Sequence, residues 1–137
     1  MPESFVVDNS VVMAWCFNDQ ADPYADAVLE RLEETSATVP SLWPLEVVNV
    51  LLAAERRKLL SPADSERFVR LLAQLPIIIE LDCPPSLMKD LLGLGRGHKL
   101  SSYDAAYLEL SIRKGLPLAT LDKSLRKAAK AEKLSLL

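Results

Sequence analysis

Short aliphatic and β-branched runs alternate with longer stretches of helical periodicity, and this order constrains the fold more than any other feature of the chain. Ser4 to Val7, Thr38-Val39, Ile77-Ile78-Ile79, Leu116 to Thr120 and Leu134 to Leu137 read as strands. The Ile77–Ile79 run reads as a buried one, closed by Cys83-Pro84-Pro85. Between the strands, helices are expected at Val11 to Phe17, Asp22 to Glu34, Trp43 to Lys58, from Ser61-Pro62 through a buried stripe of Phe68, Leu71, Leu72 and Leu75, at Ser86 to Leu94, Ser102 to Lys114 and Lys123 to Lys130. Gly93, Gly95 and Gly97 predict a glycine-rich loop before the sixth helix. Strand, helix, strand in this order is the pattern of parallel strands joined by crossover helices, so the fold class is α/β.

Composition narrows the function. At 137 residues, half of them hydrophobic and 26% charged, the chain is expected to be one globular domain, 1–137. Cys16 and Cys83 stand apart and His98 is the only histidine, so a Cys/His zinc site lacks ligands. No apolar stretch near the start is long enough to span a bilayer and no signal-peptide pattern opens the chain, which predicts no membrane association and a cytoplasmic protein. The net charge of −3 divides unevenly: residues 1–55 carry ten acids and one base, residues 56–95 five acids and six bases, residues 96–137 four acids and nine bases. A basic C-terminal third suits local contact with a polyanion, although it also suits an ordinary solvated surface.

In an open parallel sheet, ligands bind at the carboxyl ends of the strands. Asp8, Asp82 and Asp122 each follow a strand, and each also suits a helix N-cap. Glu46 and Asn49 lie three apart on a helix, Leu45 to Leu52, that is apolar nearly all round and so reads as largely buried. Asp104 stands in the first turn of its helix, where Ser101 would cap. Asp8, Glu46, Asp104 and Asp122 would together make an oxygen-only cluster. Such a cluster is costly when empty and suits a hard cation such as Mg²⁺ or Mn²⁺.

Four segments, Phe5-Val6-Val7-Asp8-Asn9-Ser10-Val11, Trp43-Pro44-Leu45-Glu46-Val47-Val48-Asn49, Ser102-Tyr103-Asp104-Ala105-Ala106-Tyr107 and Pro117-Leu118-Ala119-Thr120-Leu121-Asp122-Lys123, resemble the successive motifs of the PIN-domain family. The likeness runs in order over essentially the whole chain and is strongest to VapC-like ribonuclease toxins of prokaryotic toxin–antitoxin pairs. The resemblance implies a three-layer sandwich whose central parallel sheet has four to five strands. It implies that Asp8, Glu46, Asp104 and Asp122 form an acidic quartet holding Mg²⁺ or Mn²⁺, with Ser10 and Thr120 beside it; Asn49, on the face of Glu46, joins them as a supporting candidate from the helix pattern alone. It also implies metal-activated water attacking an RNA phosphodiester, a cognate antitoxin as partner, and a homodimer. An acidic site needs nearby bases to hold RNA, and Lys123, Arg126, Lys127 and Lys130 on the last helix, with Arg96 and Lys99 in the glycine-rich segment, are the candidates.

Other signals are weaker. Gly93 to His98 fails the dinucleotide pattern at its last glycine, and His98 has no nucleophile-elbow serine to serve. The eight aromatics are scattered at helical positions and read as core rather than as a base-stacking platform; Trp15 and Trp43 suit either the interior or a dimer seam. Two rivals stay open. One is a PIN nuclease of RNA processing that is not a toxin. The other is a receiver-like signalling module using Asp8, Asp82, Thr120 and Lys123.

Overall fold

The computed structural model describes residues 3–17 and 22–137. Phe5, Val6 and Val7 form β1 (Phe5–Val7) and are wholly buried. A strand covered on both faces is apolar at every position, which is why this run shows no alternation. β1 pairs in parallel with β2 (Ala37–Pro40) through Phe5 and Ala37, and with β4 (Leu118–Ala119) through Val6 and Leu118. β2 pairs in parallel with β3 (Ile77–Glu80), giving the order β3-β2-β1-β4. The chain winds outward from β1 to β3 and then returns to the other side of β1, so the direction of winding reverses between β1 and β4. That reversal opens a crevice at the carboxyl ends of those two strands.

Seven helices of the described residues flank this sheet: α1 (Asn9–Cys16), α2 (Pro23–Arg31), α3 (Trp43–Arg56), α4 (Pro62–Gln74), α5 (Leu87–His98), α6 (Ser102–Lys114) and α7 (Lys123–Ala131). Their starts follow local chemistry. Asp22 accepts the N–H groups of Tyr24 and Ala25 before the proline of α2, and Ser61 and Asp64 form a reciprocal capping box on α4. Helix α6 buries every residue from Ala105 to Ser111 and lies against β1 and β2, so it is the central helix of the fold. Trp43 is buried, and Trp15 ties α1 to α2 by donating to the Ala25 carbonyl at 2.8 Å. Among the described residues no helix is long and apolar enough to cross a membrane.

Five expectations are corrected. The glycine-rich loop is helix: α5 runs through Gly93, Gly95 and Gly97 to His98, and Lys99 ends it in the left-handed conformation. Arg96 and Lys99 therefore lie on and just past a helix. β3 is the sheet's edge rather than a buried strand, with Ile78 and Ile79 exposed, and Leu71 of α4 is exposed too. Helix α3 buries only one face, Trp43, Val47, Leu51 and Ala54, while Leu45, Val48, Asn49 and Leu52 are exposed. Leu134 to Leu137 supplies a single parallel bridge, Leu136 to Leu118, in place of a fifth strand.

Candidate functional site

β1 delivers Asp8 into the crevice between β1 and β4. Asp8 is the N-cap residue of α1, yet its side chain makes no cap hydrogen bond. It turns instead toward the end of β4, where Oδ2 accepts the hydroxyls of Ser10 and Thr120, each at 2.7 Å. Both hydroxyls have a second, complementary bond: Ser10 Oγ accepts the Leu121 N–H at 3.0 Å and Thr120 Oγ1 accepts the Asp122 N–H at 3.0 Å. Since main-chain N–H groups can only donate, each hydroxyl proton is free to point at Asp8. Asp8 is thus fixed by two hydroxyls that are themselves fixed by the backbone, and Oδ1 is left without a hydroxyl donor. Burial pushes the Asp8 carboxyl above its ordinary range, and the hydroxyls, with the Asn9 and Ser10 main chain, oppose that push.

Glu46 enters from the first turn of α3. Tyr107, fully buried on α6, donates its phenol to Glu46 Oε1 at 2.5 Å. A bond that short is typical of a hydroxyl on a charged oxygen. Partial burial raises the Glu46 pKa, Tyr107 lowers it and the Asp8 charge raises it. Burial first, then the hydrogen bond and charge of that carboxylate, hold the Tyr107 phenol in its neutral form. Asp104, one turn before Tyr107 on α6, is pushed up to about 6, first by desolvation and then by the charges of Asp8, Asp122 and Glu46. Its main-chain N–H is capped by Ser101 Oγ at 3.2 Å, as the sequence suggested, whereas its carboxyl makes no return bond to Ser101. Asp122 caps α7, accepting the Leu125 N–H at 2.8 Å.

The carboxylates that follow β1 and β4 and the one in the first turn of α3 therefore all act on Asp104 through their charge. Among the described residues none of the four has an ion-pair partner, whereas the buried Glu109 is held by Arg113 at 2.7 Å. An uncompensated group of carboxylate oxygens is the donor set of a hard divalent cation. Among the described residues, no three Asp, Glu, His or Cys side chains stand close enough to chelate one ion as they are. To hold a cation, the partly exposed Glu46, Asp104 and Asp122 would have to rotate.

The remaining candidates separate. Asn49 is exposed, so the premise of a buried amide fails; with Glu46 and the exposed Tyr103 it lines a concavity of about 500 Å³. Lys123, Lys127 and Lys130 are exposed on α7, as are Arg96 and Lys99 beside α5. Arg126 is partly buried and donates to the Thr120 carbonyl at 2.8 Å. Asp82 leaves β3, two strands from β1 and so about 10 Å away across the sheet, and its N–H is taken by Glu80 at 2.9 Å. A receiver-like pairing of Asp82 with Asp8 has no geometric support. Tyr107 is the participant that sequence reasoning missed. Its position three residues after Asp104, on the same helix face, was the available signal.

Known proteins place this geometry in context. "Ribonuclease VapC3" of Pyrobaculum aerophilum is 28% identical over 120 residues, which cover 88% of this chain and 90% of that protein. The crystal structure of PAE2754 from Pyrobaculum aerophilum superposes with a TM-score of 0.69 at 23% identity, over 93% of this chain and 87% of the other. A toxin–antitoxin complex from Klebsiella pneumoniae contains a chain of the same fold, with a TM-score of 0.57 at 15% identity and 86% of both chains covered. The family model described as the PIN domain matches residues 5–131, a span that takes in every strand, every helix and all four acidic positions, and the chain belongs to that family.

Proposed function

We propose that this chain is a metal-dependent endoribonuclease and the toxin of a toxin–antitoxin pair, acting in the cytoplasm. The observation that carries the reading is the unpaired group of four carboxylates at the reversal point of a parallel sheet, with Asp104 pushed up to about 6 by burial and its acidic neighbours. The naming of one relative as a ribonuclease and of one structural neighbour as a toxin–antitoxin complex supports the same reading.

Asp8, Glu46, Asp104 and Asp122 would hold Mg²⁺ or Mn²⁺. A bound divalent ion supplies an acidified water and neutralises charge on the phosphodiester. The chain itself does the positioning. Ser10 and Thr120 aim Asp8, Tyr107 aims Glu46, and at neutral pH Asp104 is available as a carboxylate. Arg96, Lys99, Lys123, Lys127 and Lys130 are the exposed bases that would hold the RNA backbone. Asn49 would act from the rim of the concavity it shares with Glu46. The antitoxin would dock in a cleft of about 840 Å³ lined by Val50, Ala53, Leu60 and Phe68 with Arg57 and the Arg67–Asp64 pair, which suits an amphipathic segment whose acid meets Arg57. Exposed Leu45, Val48 and Leu52 on α3, with Met88 and Leu92 on α5, would be covered in a homodimer.

The test is cleavage of an end-labelled pool of cellular RNA with Mn²⁺, with EDTA, and by an Asp104→Asn variant. Discrete fragments in the first arm alone support the reading; fragments that persist in EDTA overturn it. Growth arrest on expression separates a toxin from a nuclease of RNA processing.

A further inference from the structure

Among the bases of α7, Arg126 is the one turned back onto the protein. Its Nη1 donates to the main-chain carbonyl of Thr120 at 2.8 Å, and its guanidinium lies over the ring of Tyr24, 5.4 Å from the centroid. Thr120 is where the two aspartate branches of the site join: its hydroxyl reaches Asp8 and receives the N–H of Asp122. β4 ends at Ala119, so the Thr120 carbonyl lies beyond the strand. The bond from Arg126 holds that carbonyl from the far side of the turn. A planar guanidinium can stack on Tyr24 and still direct an N–H within its own plane, a combination that an ammonium cannot provide.

We propose that Arg126 is a positioning residue of the acidic site. Held between Tyr24 of α2 and the Thr120 carbonyl, it fixes the turn from Thr120 to Asp122, so that the Thr120 hydroxyl stays on Asp8 and the Asp122 carboxylate stays at the crevice. The inference deepens the reading of the four carboxylates as the metal-binding site and rests on it. It gives Arg126 a different task from that of the exposed lysines on the same helix.

The experiment compares the full chain with Arg126→Met, Arg126→Lys and Tyr24→Leu. Amide hydrogen exchange at Leu121, Asp122 and Leu125 is read in the metal-free protein, Mn²⁺ affinity is read by calorimetry, and kcat and KM are read on a fluorophore–quencher RNA of randomised sequence. Positioning predicts faster exchange at Asp122 in all three variants. It also predicts Mn²⁺ affinity and kcat each lowered about tenfold, with KM and its salt dependence unchanged. Lysine does not rescue, because it restores the charge without the fork. A rise in KM with a flatter salt dependence, rescued by lysine and with Asp122 exchange unchanged, would make Arg126 an RNA phosphate contact and overturn the proposal. If the unsubstituted protein neither binds Mn²⁺ nor cleaves, the reading of the site fails, and exchange at Asp122 still decides whether Arg126 holds the turn. Should Arg126→Met fail to fold, Arg126→Lys and Tyr24→Leu carry the same readouts.

Discussion

Asp104 shows how two opposing effects are ranked. A carboxylate in the first turn of a helix gains about 0.3–1 kcal/mol from the helix dipole. Its pKa nevertheless stands at about 6 against an ordinary value of 3.8, so desolvation and the three neighbouring carboxylates outweigh that gain. Below the ordinary value Asp104 is protonated in both the folded and the unfolded chain and the penalty is absent. Between the two values the folded state holds the extra proton, stability falls as pH rises, and above about 6 the penalty is complete. In metal-free protein, Asp104→Asn should therefore raise the melting temperature by a few degrees at neutral pH and lose that advantage toward pH 4, as calorimetry across a pH series would show. Asp8→Asn or Asp122→Asn should abolish cleavage without loss of the fold; a fully active variant would remove that residue from the site. Tyr107→Phe should lower cleavage about tenfold by freeing Glu46, at a stability cost of about 1 kcal/mol by denaturant titration. The acidic residues were legible in the sequence because each follows a strand or opens a helix. Of their partners, Ser10 and Thr120 were legible beside Asp8, whereas Tyr107 looks like any other buried aromatic until its phenol is seen to reach Glu46.

At the scale of elements, α5 is the segment where local rules misled. Three glycines in five residues read as a loop, because each costs a helix about 1 kcal/mol relative to alanine. Packing of α5 along α6 overrides that cost. One glycine has a steric reason: a Cβ at Gly95 would stand 3.2 Å from the Leu100 carbonyl oxygen, while Gly93 and Gly97 face nothing within 4 Å. Gly93→Ala should accordingly stabilise the protein by about 0.5–1 kcal/mol, with no such gain from Gly95→Ala, as urea titration would show. The three isoleucines of β3 and the apolar run of α3 misled for another reason. Hydrophobicity reports that a surface is to be covered, but it does not report whether this chain or a second one covers it. For α7 the periodicity separated buried Leu125, Ala128 and Ala129 from exposed Lys123, Lys127 and Lys130, but it grouped Arg126 with those lysines, and Arg126 is partly buried against Tyr24 and the Thr120 carbonyl. Replacing those three lysines with Gln should weaken RNA binding and reduce the slope of log affinity against log salt by about 0.7 for each phosphate that is no longer neutralised. An unchanged slope would leave the lysines as ordinary surface.

For the molecule as a whole, affinity for a cation is also stability, because the unfolded chain offers no gathered site. With Mn²⁺ at about 100 times its dissociation constant, the folded state should gain about 2.7 kcal/mol, visible as a shift in thermal unfolding that EDTA reverses and Asp8→Asn removes. The strand order has a consequence in time. β4 closes on β1, so Thr120 and Asp122 reach Asp8 only after the intervening residues have been made. At about 5–20 residues per second, those residues take the ribosome roughly 6–23 s. Throughout that interval the nascent chain has one end of its sheet without the strand that completes the crevice. On the proposed reading, the site would thereby stay incomplete on the ribosome that is making it.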